Sequence, residues 1–150
     1  MSFILNTGLM LLVWLQTPAA AVVVGLEDGQ QLVLENPEFF GFIQGSGDQA
    51  LLTYRQETFH GQMPLNSISR IDFGKYKRGE PFPLIVTLKN GMKVEVQSER
   101  RSFVMVRGKT DFGIVTIKHP DPLSVPLRIT TRSPNRKNNL TIQYLEFPTS

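Results

Sequence analysis

The stretch Leu84-Ile85-Val86-Thr87-Leu88-Lys89-Asn90-Gly91-Met92-Lys93-Val94-Glu95-Val96 decides the fold. Two apolar-rich runs flank an Asn-Gly pair. Glycine accepts the positive φ that a tight hairpin turn requires, so this pattern predicts two antiparallel strands. Beyond the turn, Val94 and Val96 alternate with Lys93, Glu95 and Gln97, the period of a strand buried on one face. A twin lies upstream. Val22-Val23-Val24 leads into Leu26-Glu27-Asp28-Gly29-Gln30, followed by Gln31-Leu32-Val33-Leu34, with Asp-Gly at the turn. Leu26, Asp28 and Gly29 correspond to Leu88, Asn90 and Gly91 at one constant offset.

Working outward, further short strands are predicted at 39–43, 51–55, 58–63, 68–73, 102–107, 113–118, 127–131 and 140–147. A short helical turn is expected near 65–69. No stretch carries a 3.6-residue apolar period. The chain has 12 Gly and 10 Pro in 150 residues, which favours turns over long helices. The fold class is therefore all-β. A second likeness, of Phe59-His60-Gly61-Gln62-Met63 to Asp111-Phe112-Gly113-Ile114-Val115, suggests an internal repeat. The first copy would carry extra residues within 41–49, where Gly45-Ser46-Gly47 reads as a flexible loop tip. The copies would join at Gly74-Lys75-Tyr76-Lys77-Arg78-Gly79-Glu80-Pro81.

Two architectures fit. One is a tandem of small barrel-like modules at 22–74 and 75–131, followed by a basic linker and C-terminal strand at 132–150. The other is a single fused β domain with a pseudo-repeat. A module of that size buries only about 60% of its unfolded surface, so the halves should pack together. A terminal strand on a tether could close its own barrel or pair with a neighbouring subunit, making a homo-oligomer.

The amino terminus reads as an address. No charged side chain precedes Glu27, and Leu9-Met10-Leu11-Leu12-Val13-Trp14-Leu15 is unbroken apolar sequence. Pro18 and then Ala19-Ala20-Ala21 follow, as in a secretory signal with a small-residue cleavage site. Residues 1–21 are expected to be a signal peptide cut after Ala21, placing the mature chain in the periplasm or outside the cell. Left uncut, residues 3–24 would anchor it in the membrane; once cut, no stable span is expected. Trp14, the one tryptophan, would leave with the signal.

The opening apolar-x-Leu-x-(Asp/Asn)-Gly, with several short strands closing on Ile-x-x-Ile-x-Phe, resembles Sm-like and SH3-like small barrels. Leu88-Lys89-Asn90-Gly91 and Ser67-Ile68-Ser69-Arg70-Ile71-Asp72-Phe73 carry that resemblance. The chain also looks like exported bacterial proteins built from such barrels. Val106-Arg107-Gly108 matches the Sm motif that supplies an RNA-contacting Arg, which implies a cytoplasmic RNA-binding alternative resting on Arg107. The pattern departs at Asp111, where an apolar residue is expected, and the Asp-x-x-apolar-Asn segment is missing after Asn90-Gly91.

Chemistry-bearing motifs are few. With no Cys there is no thiolate site and no Cys nucleophile. His60 and His119 have no local ligand partners and read as surface or turn residues. Asp72-Phe73-Gly74 and Asp111-Phe112-Gly113 match a kinase triplet, but no Gly-rich loop, strand Lys or catalytic loop accompanies them. No catalytic residue, metal or cofactor is assigned, and no enzyme is expected.

Binding is the remaining expectation. In an uninterrupted strand, Phe40 and Phe42 would share one face and Phe39 the other. Net charge is +3, but the halves differ: two Lys+Arg against seven Asp+Glu through residue 74, fourteen against six thereafter. Lys75, Lys77, Arg78, Arg100, Arg101, Arg107 and Lys109 are the candidate contacts for an anionic partner, with Phe40 and Phe42 as candidate aromatic contacts. The expected function is a non-catalytic binding or scaffolding protein of the bacterial envelope. Its partner would be a protein or an anionic envelope polymer, with nucleic acid as the alternative.

Overall fold

In the computed structural model the described residues are 20–75, 77, 79–99, 102–119 and 142–148. They form eleven strands: β1 (Ala21–Leu26), β2 (Gln31–Gly41), β3 (Ile43–Ser46), β4 (Leu51–Gln56), β5 (Phe59–Pro64), β6 (Ile68–Phe73), β7 (Pro83–Leu88), β8 (Lys93–Gln97), β9 (Val104–Thr110), β10 (Gly113–His119) and β11 (Ile142–Glu146). Two single 3₁₀ turns, Gly47–Gln49 and Leu65–Ser67, complete them, the second where a helical turn was predicted. Among the described residues no helix is long and apolar enough to cross a membrane.

Both predicted hairpins are present, as β1–β2 and β7–β8, and their turns are built alike. Asp28 Oδ1 accepts the Gln30 N–H at 2.9 Å, and Asn90 Oδ1 accepts the Met92 N–H at 2.9 Å. Gly29 and Gly91 both sit at φ 89°. The side-chain oxygen holds each turn while the glycine takes the left-handed backbone.

The strands close on themselves. The path β1-β11-β6-β7-β8-β4-β3-β2 returns to β1 through the β1–β2 hairpin, giving a closed eight-stranded barrel. Every ladder is antiparallel. Three strands extend it: β9 joins β2, β10 joins β9, and β5 joins β4. Strands from before and after residues 74–81 share the ring, with β11 set between β1 and β6, and β7–β8 set between β6 and β4. That segment joins β6 to β7, which pair with each other. One core serves all of them, with Val22, Leu34, Ile43, Leu52, Ile71, Val86, Val106 and Leu145 fully buried in a single cluster. The 127–131 strand, the 132–139 linker and residues 1–19 lie outside the described residues.

Two local expectations are corrected. Of the expected loop tip Gly45-Ser46-Gly47, Gly45 and Ser46 end β3, with Gly45 paired to Phe39 of β2, and Gly47 opens the first 3₁₀ turn. The aromatic run 39–42 does not alternate as one strand either. Gly41 takes φ 109°, ending β2, and so Phe39 and Phe42 both turn into the core while Phe40 stays 38% exposed. A non-alternating backbone residue resets which face the next side chain occupies.

Candidate functional site

The alternation of β10 puts Val115, Ile117 and His119 on one face and Ile114, Thr116 and Lys118 on the other. The first face is the inner one. His119 is therefore not a surface or turn residue: it is 2% exposed, on the buried face of β10. Its ring stands perpendicular to Phe73 at a centroid distance of 5.2 Å and tilted to Phe82 at 5.0 Å. Nδ1 accepts the Ile142 N–H at 3.1 Å. That bond assigns the proton of the neutral ring to Nε2. Nε2 is itself buried and has no hydrogen-bond partner. A cavity of about 420 Å³ adjoins the ring, with Glu27, Phe73, Lys75, Ile142 and Gln143 in its wall.

Burial removes the water that would solvate an imidazolium, and this pushes the His119 pKa from 6.5 down to about 4, against an opposing pull from the Glu27 charge. The folded chain therefore binds fewer protons than the unfolded chain below pH 6.5. The stability tied to neutral His119 is complete above that pH and is lost as pH falls towards about 4. Chemical denaturation from pH 7 to 4 should show this loss, about 3 kcal/mol in total, and His119→Asn should remove it.

A second constellation lies on the outer surface of β1, β11 and β6. Tyr144 packs over Gly25, its cross-strand partner, and any Cβ there would overlap the ring. Gln31 donates to the Tyr144 hydroxyl. The Arg70 guanidinium lies 3.9 Å from the Tyr144 ring centroid and reaches Asp72 at 3.0 Å and Glu146 at 3.3 Å. These side chains are a third or more exposed, so the network orients β11 with little net energy from charge alone. A depression of about 580 Å³ runs past Arg70, Thr87, Lys93 and Glu146. A neighbouring cleft of about 650 Å³ opens between the end of β4 and the β6–β7–β8 surface. Beside it Glu99 accepts from His60 at 2.7 Å and lies 4.0 Å from Arg55. Among the described residues no cluster of His, Asp and Glu could hold a metal ion.

The predicted contact residues fall in separate places. Lys75 and Lys77 are exposed in the β6–β7 connection, Lys75 beside the His119 cavity. Arg78, Arg100 and Arg101 lie outside the described residues. Phe42 is in the core, 4% exposed, against Phe73 and Phe82. Arg107 and Lys109 share the outer face of β9, where Arg107 stands opposite Glu38 and Lys109 opposite Glu35. The acidic β2 thus faces the basic β9, and opposite charges in register soften the field of each. Phe40 pairs with Met105 on the same face.

That face ends in a feature the sequence reading passed over. In the β9–β10 turn, Thr110 Oγ1 donates to the Gly113 carbonyl at 2.9 Å and accepts the Phe112 N–H at 3.0 Å. The turn is closed on itself and holds Phe112 outward, 82% exposed, next to the exposed Ile114. The polar Thr-Asp-Phe-Gly sequence of a two-residue turn, with an aromatic that cannot reach the core, was the available signal. No protein family, curated protein or solved structure matches the chain.

Proposed function

We propose that the chain is a non-catalytic, exported binding module of the bacterial envelope, with the outer face of β2, β9 and β10 as its contact surface and a protein as its partner. Phe112 carries this reading. A phenyl ring held in water by a rigid turn gives up apolar contact that a partner can supply, and rigid aromatics at low entropic cost dominate protein interfaces. Arg107, Lys109 and Phe40 lie along the same face, with Glu35 and Glu38 between them. Mixed charge around an apolar tip suits a protein better than a polyanion, which needs an uninterrupted cationic track. The export half of the proposal rests on residues 1–21. β1 begins at Ala21, and the Ala20 carbonyl accepts the Asn36 N–H at 2.7 Å. A start at Val22 would remove the Ala21↔Glu35 pair and the acceptor of that N–H, a loss confined to the first rung of the β1–β2 ladder.

Two measurements test it. Mass spectrometry of the native protein should find a start near Val22 outside the cytoplasm and no tryptophan emission; an intact Met1 in soluble cytoplasm overturns export. Retention on envelope proteins should fall roughly tenfold with Phe112→Ser, and less with Arg107→Glu. Retention unchanged by Phe112→Ser overturns the contact surface. Salt-sensitive RNA binding lost with Arg107→Glu would establish the RNA-binding alternative instead.

A further inference from the structure

Among the described strands, β11 alone bridges β1 and β6 and so completes the ring. It meets β1 through Val23↔Glu146, Val24↔Leu145, Gly25↔Tyr144 and Leu26↔Ile142, and β6 through Tyr144↔Asp72, Leu145↔Ile71 and Glu146↔Arg70. It is the last of the described strands, separated in sequence from β10 by residues 120–141. Its far end is held by the Phe147 N–H on the Ser69 carbonyl at 2.8 Å and by Glu146 on Arg70. Its near end is held by the Ile142 N–H on His119 Nδ1.

That near contact can exist in one protonation state only. Neutral imidazole offers a lone pair at Nδ1; imidazolium carries an N–H on both nitrogens and offers none. Protonation sets the Nδ1–H against the Ile142 N–H and leaves a cation between Phe73 and Phe82. Among the described residues, the charged groups facing that position are Glu27, which favours the cation, and Lys75, which opposes it. Water can reach the Nδ1 proton only where the His119–Ile142 contact has parted.

We propose that His119 is a proton-operated latch on β11, and that acid frees this strand from between β1 and β6, leaving a slot that takes an extended strand of the same sequence. The lowered pKa agrees in direction: the ring resists protonation while the latch is shut. Opening that restores the ordinary His value should become roughly fiftyfold more favourable between about pH 7 and about pH 4.5.

The test uses the full chain. Hydrogen-exchange protection factors in β1, β6 and β11 should fall roughly fiftyfold over that range, while those in the β4–β5 hairpin hold. A fluorescent synthetic peptide of residues 142–148 should be captured saturably at about pH 4.5 and excluded at about pH 7. His119→Asn offers Oδ1 near the Nδ1 position without titrating, and should flatten both responses. An NMR titration of His119 in the unsubstituted chain covers the case in which that variant does not fold: its protonation should track β11 opening. Parallel loss of β4–β5 protection, no peptide capture in acid, an unchanged pH profile in His119→Asn, or opening that does not follow His119 each overturns the proposal.

Discussion

Gly41→Ala is expected to destabilise the fold by more than about 4 kcal/mol, the range reached when a backbone has no room to adjust. Gly41 has φ 109°, and a Cβ built there falls inside the contact radius of the Phe103 carbonyl oxygen. That oxygen is already committed, accepting the Phe42 N–H at 2.9 Å. The obstacle is backbone on both sides, and Gly41 is simultaneously the partner of Val104 in the β2–β9 ladder. Gly91→Ala is the internal control. Gly91 also has positive φ, 89°, but nothing stands within 4 Å of its Cβ direction. It should therefore show only the backbone strain, about 1–2 kcal/mol. Urea unfolding of both variants separates the two contributions. Equal losses would mean that φ strain alone governs Gly41.

Gly41 also shows where sequence reading stops. Strand positions were legible because alternation is local: 68–73 was predicted and β6 spans Ile68–Phe73. Alternation breaks at Gly41, whose φ of 109° ends β2, so Phe42 turns into the core as Phe39 does instead of sharing the outer face with Phe40. His119 was the opposite error. The alternation Val115-Ile117-His119 already pointed inward, but Pro120 and the polarity of imidazole outweighed it. That a terminal strand could close the barrel was legible; that it does so between β1 and β6 was not. Val23 pairs with Glu146 across almost the entire chain, and nothing in either segment names the other. The charge asymmetry between the halves was visible in composition. Its meaning was not, because only the β2–β9 register sets Glu35 against Lys109 and Glu38 against Arg107. Arg107 and Lys109 thus read as an open cationic face in sequence and as a matched ladder in the fold.

Phe82→Ala should lower stability by about 3–5 kcal/mol, as expected for truncating a fully buried phenyl ring in a packed core. Phe82 is completely buried, with ring centroids of Phe42 at 5.7 Å, Phe73 at 6.4 Å and His119 at 5.0 Å. Its backbone is fixed independently: the Phe82 N–H donates to Ser98 Oγ at 2.9 Å, and the Ser98 N–H donates to the Phe82 carbonyl at 3.0 Å. Truncation should therefore empty the ring site without freeing the segment. The vacated space borders His119 and its unpartnered Nε2, so it is polar on one side and can admit water. Water beside the imidazole weakens the desolvation that depresses its pKa. The His119 titration followed by NMR should then move up from about 4 towards 6.5. The acid-dependent part of the stability should shrink in step, because the loss on acidification scales with the gap between folded and unfolded pKa. Phe82→Leu refills most of the volume with apolar atoms, and should recover most of the stability and keep the low pKa. If the pKa stays near 4 in Phe82→Ala while stability falls, the depression arises from the Phe73 side and the β11 contact, and Phe82 is packing alone.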